Sequence, residues 1–242
     1  MPAHHHNTVD RITAILEEVA LEPNGLTLTA LAKSIGAPLS SVQGFVNGLV
    51  ARGYVHEVDR RYYLGPGPYI LTMRANRMPA RTVDHSDLVA LGDRTGFSVL
   101  LGVRMGDDVV YIDEMGDSPE VQFVAKARAR RPLLKTASGK IVLADMPEAE
   151  LLRFLRNCPE TDLVSQILRE LPAIRETGIA INLKSPIAGG SAIASRVENN
   201  QGEFVAAVAL VGRTELITPH FDELAQILTE TTAGWANRRR SD

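Results

Sequence analysis

The amino-acid sequence predicts an α+β protein with an N-terminal winged helix-turn-helix and a larger C-terminal sheet domain. Up to residue 52 the apolar residues recur with the period of helices, and after Gly53 they alternate with the period of a β-hairpin. From residue 83 onward, the pattern is one of strands, hairpins and helices in succession. We expect domains at 1–77 and 78–242, joined near Met78 by a charged, proline-containing linker from Arg74 to Arg81.

The first domain begins with a predicted helix from Thr8 to Leu21, whose apolar residues fall on one face. A second helix follows, with Thr29 as its expected N-cap and Gly36 as the left-handed residue that closes it. Ser40 is the expected N-cap of a third helix, which ends at Gly53. Two helices joined by a tight glycine-containing turn form a helix-turn-helix.

The outward face of the third helix is polar. Asn and Gln side chains can pair with adenine through two hydrogen bonds, and serine can bond to bases or phosphates, so this face is a candidate for reading DNA. A polar exposed face would also suit a winged helix that binds protein instead, and both alternatives stay open. The candidate contact residues are Ser40, Ser41, Gln43, Gly44 and Asn47.

A predicted β-hairpin completes the first domain, with strands on either side of the turn Asp59-Arg60-Arg61. A basic loop that follows a recognition helix can reach phosphates or the minor groove. Arg60 and Arg61 are therefore candidate DNA contacts of the wing, although arginines in a turn are often simply solvated.

The second domain is predicted as an α+β sheet domain that begins with a helix ending at Gly96. A hairpin with its turn at Met105–Asp108 follows, and Pro172 is expected to kink or end the helix that contains it. The predicted strands are 97–104, 109–115, 121–127, 179–183, 191–197 and 204–211, and the predicted helices are 83–95, 136–144, 148–156, 162–176 and 219–239.

Two short segments are candidates for ligand contact. Thr136-Ala137-Ser138-Gly139 opens a helix with two hydroxyls and free backbone N–H groups, which suits an anion, although the motif alone favours an ordinary helix cap. Gly189-Gly190-Ser191 would let a ligand approach the backbone, or is a plain turn before a strand.

Composition and motifs exclude several classes of protein. The net charge of −3 gives no global signal for nucleic acid, so any DNA surface must be local. The longest apolar run, Phe204–Val211, is far short of the roughly 20 residues of a membrane helix, and no signal peptide is visible. A lone cysteine, Cys158, favours the cytoplasm and leaves no multi-cysteine metal site. The tract His4-His5-His6 is interpreted as a tail or tag remnant that binds metal weakly at most.

Motifs for catalysis are missing as well. The sequence lacks Gly-x-Ser-x-Gly, a phosphate-binding loop and His-Glu-x-x-His, so neither enzyme chemistry nor a cofactor or metal is expected. A hydrolase that uses Ser138 or Ser191 is the weakest of the alternatives considered.

The order and spacing of several segments resemble the IclR family of bacterial transcription regulators, over about residues 8 to 240. In the first domain these segments are Leu26–Ala32, Gly36–Val42, Leu49–Val55 and Tyr63–Gly65. In the second domain they are Asp107–Ile112, Arg131–Leu133, Thr136–Lys140 and Thr177–Ala180. The resemblance implies a winged helix, a linker helix and a GAF-like domain that binds a small effector.

The resemblance also implies which residues line the effector cavity: Thr136, Ala137, Ser138, Gly139, Asn182, Ser191 and Ala192. This chain departs from the family pattern at four positions. Leu39 and Gly44 stand where basic residues are common, Asn182 where an acid is frequent, and Ala192 where cysteine is frequent.

The combined prediction is a repressor or activator, with repression preferred, that binds double-stranded operator DNA and is controlled by a small organic acid. It is expected to form a homodimer or a dimer of dimers through the helix at 8–21 and the linker helix after Pro68. The main alternative is a small-molecule sensor whose winged helix binds protein.

Overall fold

A computed structural model describes four parts of the chain, residues 7–75, 82–117, 129–183 and 190–238. The chain divides into two compact units, Met1–Met78 and Pro79–Asp242. The boundary expected after residue 77, and the roles given to the two parts, stay predictions. Four sequence expectations lie wholly or partly outside the described residues: His4–His6, the linker from residue 76 to 81, the strand 121–127 and the turn at Gly189.

The first unit is a helix-turn-helix followed by a β-hairpin and a further helix. A small apolar core holds the three helices and the hairpin together, and it consists of Ile15, Val19, Leu31, Val42, Val46, Val55 and Tyr62. Leu26 and Tyr62 exchange two backbone hydrogen bonds, which fix the hairpin against the loop before the second helix. The elements are α1 (Asn7–Leu21), α2 (Leu28–Ser34), α3 (Leu39–Ala51), β1 (Val55–Val58), β2 (Arg61–Leu64) and α4 (Gly67–Ala75).

The start of α2 differs from the prediction. Thr27 is its N-cap, since its side chain accepts a hydrogen bond from the backbone N–H of Ala30. The expected cap, Thr29, lies inside the helix. The end of α2 agrees with the prediction, because Gly36 has a φ of 62°.

The start of α3 also differs. Helix α3 begins at Leu39, directly after Pro38, and no side chain caps it. Ser40, the expected N-cap, is therefore a residue of the first turn. The carbonyl of Pro38 accepts the N–H groups of Ser41 and Val42, so the proline starts the helix in place of a serine.

The described residues of the second unit form a six-stranded antiparallel sheet between two layers of helices, in the strand order β5-β4-β3-β8-β7-β6. The strands are β3 (Ser98–Met105), β4 (Asp108–Met115), β5 (Arg130–Pro132), β6 (Ile179–Asn182), β7 (Ser191–Glu198) and β8 (Phe204–Gly212). The helices are α5 (His85–Thr95), α6 (Ala137–Asp145), α7 (Glu148–Asn157), α8 (Thr161–Thr177), α9 (Thr214–Ile217) and α10 (Phe221–Arg238).

Each face of the sheet has its own apolar core. Helices α6, α7 and α8 cover one face, which includes Tyr111 and Ala192, and α5 and α10 cover the other. Helix α6 is buried over seven of its nine residues, so its N-terminus lies inside the first of these cores.

Three predictions for this unit need correction. Helix α8 continues through Pro172, so the proline does not end it, and the expected kink stays a prediction. The last helix begins at Phe221, after the short helix α9 and a 3-10 turn that the sequence did not indicate. The three-residue strand β5 was also missed, because Arg130–Pro132 is too short to show a period.

Candidate functional site

The candidate recognition face of α3 is open to solvent. Ser40, Gly44 and Asn47 are exposed, while Ser41 and Gln43 are partly buried. Gln43 Nε2 donates a hydrogen bond of 2.8 Å to Asn47 Oδ1, as residues four apart on a helix can. This pair holds the two amides in one orientation, with Gln43 Oε1 as an acceptor and Asn47 Nδ2 as a donor.

An arginine from α1 lies at the same end of α3. Arg11 Nη1 is 3.4 Å from Ser41 Oγ, to which it donates. Sequence reasoning missed Arg11, because its position depends on how α1 crosses α3. No local sequence pattern indicates that crossing. The contact places a cation beside a face whose sequence is poor in charge.

The two glycines of α3 are not required by packing. Apart from the backbone of α3, no atom of the described residues lies within 4 Å of the position that a Cβ would take at Gly44 or at Gly48. Glycine costs about 1 kcal/mol of helix stability relative to alanine. Since packing does not require glycine at these two positions, close approach of a binding partner to the helix backbone is a reason for its presence.

The structure separates the two arginines of the wing. The hairpin turn consists of Asp59 and Arg60, with φ values of 50° and 60° that a two-residue turn of this kind requires. Arg60 is exposed at the tip. Arg61 is the first residue of β2, and its Nη1 donates to the carbonyl of Gly25 at 2.9 Å. This hydrogen bond from Arg61 therefore holds the hairpin against the loop after α1.

In the second unit, the segment that opens α6 forms a helix cap. Thr136 is 2% exposed, and its Oγ1 accepts a hydrogen bond of 2.9 Å from the N–H of Gly139. A Cβ at Gly139 would collide with the carbonyl of Leu133, so only glycine fits. Ala137 and Ser138 are buried, and the Ser138 hydroxyl lies beside the hydroxyl of Tyr111.

A buried tyrosine faces this helix start. Tyr111 of β4 is 2% exposed, and burial raises the pKa of its hydroxyl above the usual 10.0. The hydroxyls of Ser138 and Thr136, together with the charge of Arg131, oppose this rise in the pKa without cancelling it. The hydroxyl is therefore protonated and able to donate at neutral pH.

The remaining predicted effector residues are divided between two faces of the sheet. Ala192 is buried in the same apolar core as Ala137. Ser191, its neighbour in β7, points to the opposite face, where its Oγ lies 3.0 Å from Thr214 Oγ1. The structure therefore does not bring Ser191 to the start of α6.

Asn182 lies opposite Ala192 in the sheet, and its Nδ2 donates to the carbonyl of Lys135 at 3.1 Å. It also lines a cavity of about 600 Å³ between β6 and α8. Within that cavity the buried Lys140 Nζ lies 2.6 Å from Glu170 Oε2 and donates to the carbonyl of Ile181 at 2.8 Å. These polar groups are thus paired with one another.

Comparison with known proteins covers both units. The IclR helix-turn-helix domain matches residues 8–59, and the C-terminal domain of the bacterial transcriptional regulator IclR matches residues 73–234. The chain belongs to the IclR family. This family consists of transcriptional regulators, so this IclR-family protein is a DNA-binding regulator and not an enzyme. The recognition, the α+β fold class and the absence of enzyme activity are thereby confirmed.

Individual relatives span most of this regulator. It is 28% identical over 223 residues to the probable transcriptional regulator SauR of Cupriavidus necator, with 87% of each chain covered. It is 22% identical over 227 residues to the HTH-type transcriptional repressor AllR of Escherichia coli, covering 87% of this chain and 81% of AllR. The crystal structure of an IclR homologue from Microbacterium hydrocarbonoxydans, complexed with 4-hydroxybenzoate, has a TM-score of 0.73, 20% identity, and coverage of 97% of this chain and 100% of the homologue.

The structure adds nothing in favour of a hydrolase or a reactive thiol. Burial, followed by the charges of Glu160 and Asp107, raises the pKa of the Cys158 thiol, and its Sγ donates to the carbonyl of Phe154. In the described parts of the chain, no three acidic, histidine or cysteine residues are grouped so as to hold a metal ion. No helix within those parts is long and apolar enough to cross a membrane.

Proposed function

We propose that this IclR-family protein is a cytoplasmic repressor that binds operator DNA as a homodimer or dimer of dimers and is controlled by a small organic acid. The DNA partner follows from the match to the IclR helix-turn-helix domain, which favours DNA over a protein partner for the winged helix. The name of the relative AllR supports repression, and the 4-hydroxybenzoate in the Microbacterium homologue supports an organic acid.

The observation that carries the effector proposal is the buried N-terminus of α6. Thr136 and Ser138 bring hydroxyl groups into a core that is otherwise apolar, and Ser138 is fully buried. A helix N-terminus has free N–H groups and a partial positive charge, both of which favour an anion. Of the remaining predicted residues, Ala137, Gly139 and Ala192 fit the wall of such a site, while Asn182 and Ser191 are engaged elsewhere.

The effector is tested by a thermal-shift screen of aliphatic and aromatic acids, including 4-hydroxybenzoate. We expect one or more acids to raise the melting temperature and to change operator affinity about 5- to 150-fold, the usual range of allosteric coupling. Ser138→Leu should abolish both effects while DNA binding persists. A response confined to cations or neutral molecules, or one that survives in Ser138→Leu, would contradict the proposed site.

DNA reading is assigned to the Gln43–Asn47 pair. Genomic selection with the full-length protein at low salt identifies the operator, and fluorescence anisotropy measures affinity. Gln43→Ala and Asn47→Ala should each cost about 1–3 kcal/mol on the operator and little on unrelated DNA. Because the side chains are bonded to each other, the double variant should lose less than the sum. Failure to enrich any site would revive the protein-binding alternative.

Assembly is assigned to α1 and α4. Helix α4 has no buried residue, and Tyr69, Ile70, Leu71 and Met73 are 43–67% exposed, as an unpaired dimer helix would be. A pair of winged helices also contacts enough bases for specificity, which one alone does not. Light scattering should show a dimer or tetramer at micromolar concentration, and Tyr69→Ser with Met73→Ser should weaken it. A monomer with and without DNA would refute the assignment.

A further inference from the structure

One polar nitrogen buried near the start of α6 has no hydrogen-bond partner in the described structure. This atom is Arg131 Nε, whereas the hydroxyls of Ser138 and Thr136 lie beside the hydroxyl of Tyr111. Buried polar groups are paired in folded proteins, because an unsatisfied donor or acceptor is unfavourable. The unpaired nitrogen close to a group of buried hydroxyls therefore indicates a place for a polar ligand.

The sheet register brings Arg131 to this region. Arg131 of β5 lies directly opposite Val109 of β4, so its side chain starts from the same face of the sheet. Tyr111 lies two residues beyond Val109 and shares that face, in the core that α6 covers. The start of α6, Tyr111 and Arg131 thus surround one place on the sheet.

The neighbouring arginine behaves differently. Arg130 points to the other face by strand alternation and lies 3.9 Å from Asp108 Oδ2. For Arg131 no ion pair with a described carboxylate exists, and the residue is partly buried. A partly buried arginine with no described carboxylate beside it is suited to binding an anionic ligand.

The charges define the class of ligand. Lys135, a further cation four residues along the chain, is already paired with Glu160 at 3.0 Å. The single guanidinium of Arg131 therefore balances one negative charge, and its planar fork matches a carboxylate. A phosphate carries more charge than this site offsets.

We propose that the effector is a monocarboxylate whose carboxylate binds the Arg131 guanidinium, with the hydroxyls of Ser138 and Tyr111 beside it. This rests on the proposed function, and it moves the polar contacts of the effector away from Asn182 and Ser191. Arg131 is then the specificity-determining residue, because it distinguishes the acid from its neutral amide.

The test uses full-length protein, isothermal calorimetry and melting curves. The probes are pyruvate and benzoate, their amides, and inorganic phosphate. We expect at least one of the two acids to bind and its amide to fail. Arg131→Gln should weaken that acid about 10- to 100-fold, the usual value of a charge-assisted hydrogen bond, while the matched control Arg130→Gln leaves it unchanged. If Arg131→Gln does not fold, Arg131→Lys against Arg130→Lys gives the same comparison, with a smaller loss expected.

The outcomes separate this inference from the proposed function. Binding of an acid that is lost in Arg131→Gln supports the inference, even if operator affinity does not respond, in which case the regulatory function alone fails. An acid that shifts operator affinity equally in the wild type and in Arg131→Gln leaves the function intact and overturns the inference. Three further results would also overturn the inference: no binding of either acid, equal binding of the acid and its amide, or preferential binding of phosphate.

Discussion

Replacing Gly44 of α3 with alanine would separate two reasons for a glycine in an exposed helix. Apart from the backbone of α3 itself, no described atom lies within 4 Å of the added Cβ, so the described residues leave the methyl group room. The substitution should therefore stabilise α3 by about 0.8–1.0 kcal/mol, the difference in helix propensity between the two residues. If the backbone of α3 lies against DNA, the same methyl group should weaken binding.

The loss of DNA affinity follows from steric crowding. Forcing one methyl group into a well-packed contact costs about 1–3 kcal/mol, which corresponds to about 5- to 150-fold in affinity. Hydrogen exchange of the α3 amides in the full-length protein reports local stability, and fluorescence anisotropy with operator DNA reports affinity. The two measurements should move in opposite directions.

Gly234 of α10 supplies the matched control. It is also an exposed helix glycine with open space around its Cβ position, but it lies in the other unit. Gly234→Ala should slow hydrogen exchange in α10 and leave operator affinity unchanged. Undiminished operator affinity in Gly44→Ala would refute close approach of this face to DNA, and faster exchange in α3 would refute the helix argument itself.

Three further predictions concern other described contacts. Arg60→Ala should flatten the salt dependence of DNA affinity by about one unit of slope, whereas Arg61→Ala should chiefly lower the urea midpoint; equal salt slopes would contradict this division. Glu170→Gln should destabilise the protein by about 2 kcal/mol in urea, which is less than the loss expected for a fully buried ion pair, because Glu170 is 34% exposed. Adding Lys140→Met should recover part of this loss, and unchanged stability in Glu170→Gln would contradict the ion pair. Because Tyr111 has a raised pKa in the folded state, its contribution to stability is present below pH 10 and is lost as the pH rises through the folded pKa. Tyr111→Phe should therefore resist alkaline unfolding, and superimposable circular dichroism curves of the two proteins would contradict this.

Local periodicity was sufficient for most of the fold. The helix period in residues 7–21 and 39–51 and the alternation on either side of Gly106 come from burial of one face, which the sequence records directly. Cap positions were less certain, because Thr27 and Thr29 are both good caps and only the packing of α2 decides between them.

The candidate sites depended more on tertiary structure. The sequence identified Gln43, Asn47 and Ser138 as polar groups in suggestive places, but it could not show that the two amides bond to each other. Nor could it show that Arg61 is engaged with a loop 36 residues earlier, or that Arg131 shares a sheet face with Tyr111. These facts follow from side-chain conformation, packing and strand register, which a single sequence does not reveal.

The hydrogen bond from Lys140 to the carbonyl of Ile181 has a consequence for how copies of this protein meet. In the described sheet, β6 is an outermost strand, and outermost strands offer unpaired backbone groups that invite another chain to add a strand. Here a buried ammonium group, held by Glu170, already occupies one of those carbonyls. A strand that added at this carbonyl would have to displace a charged side chain, so the hydrogen bond protects this part of the edge from strand addition.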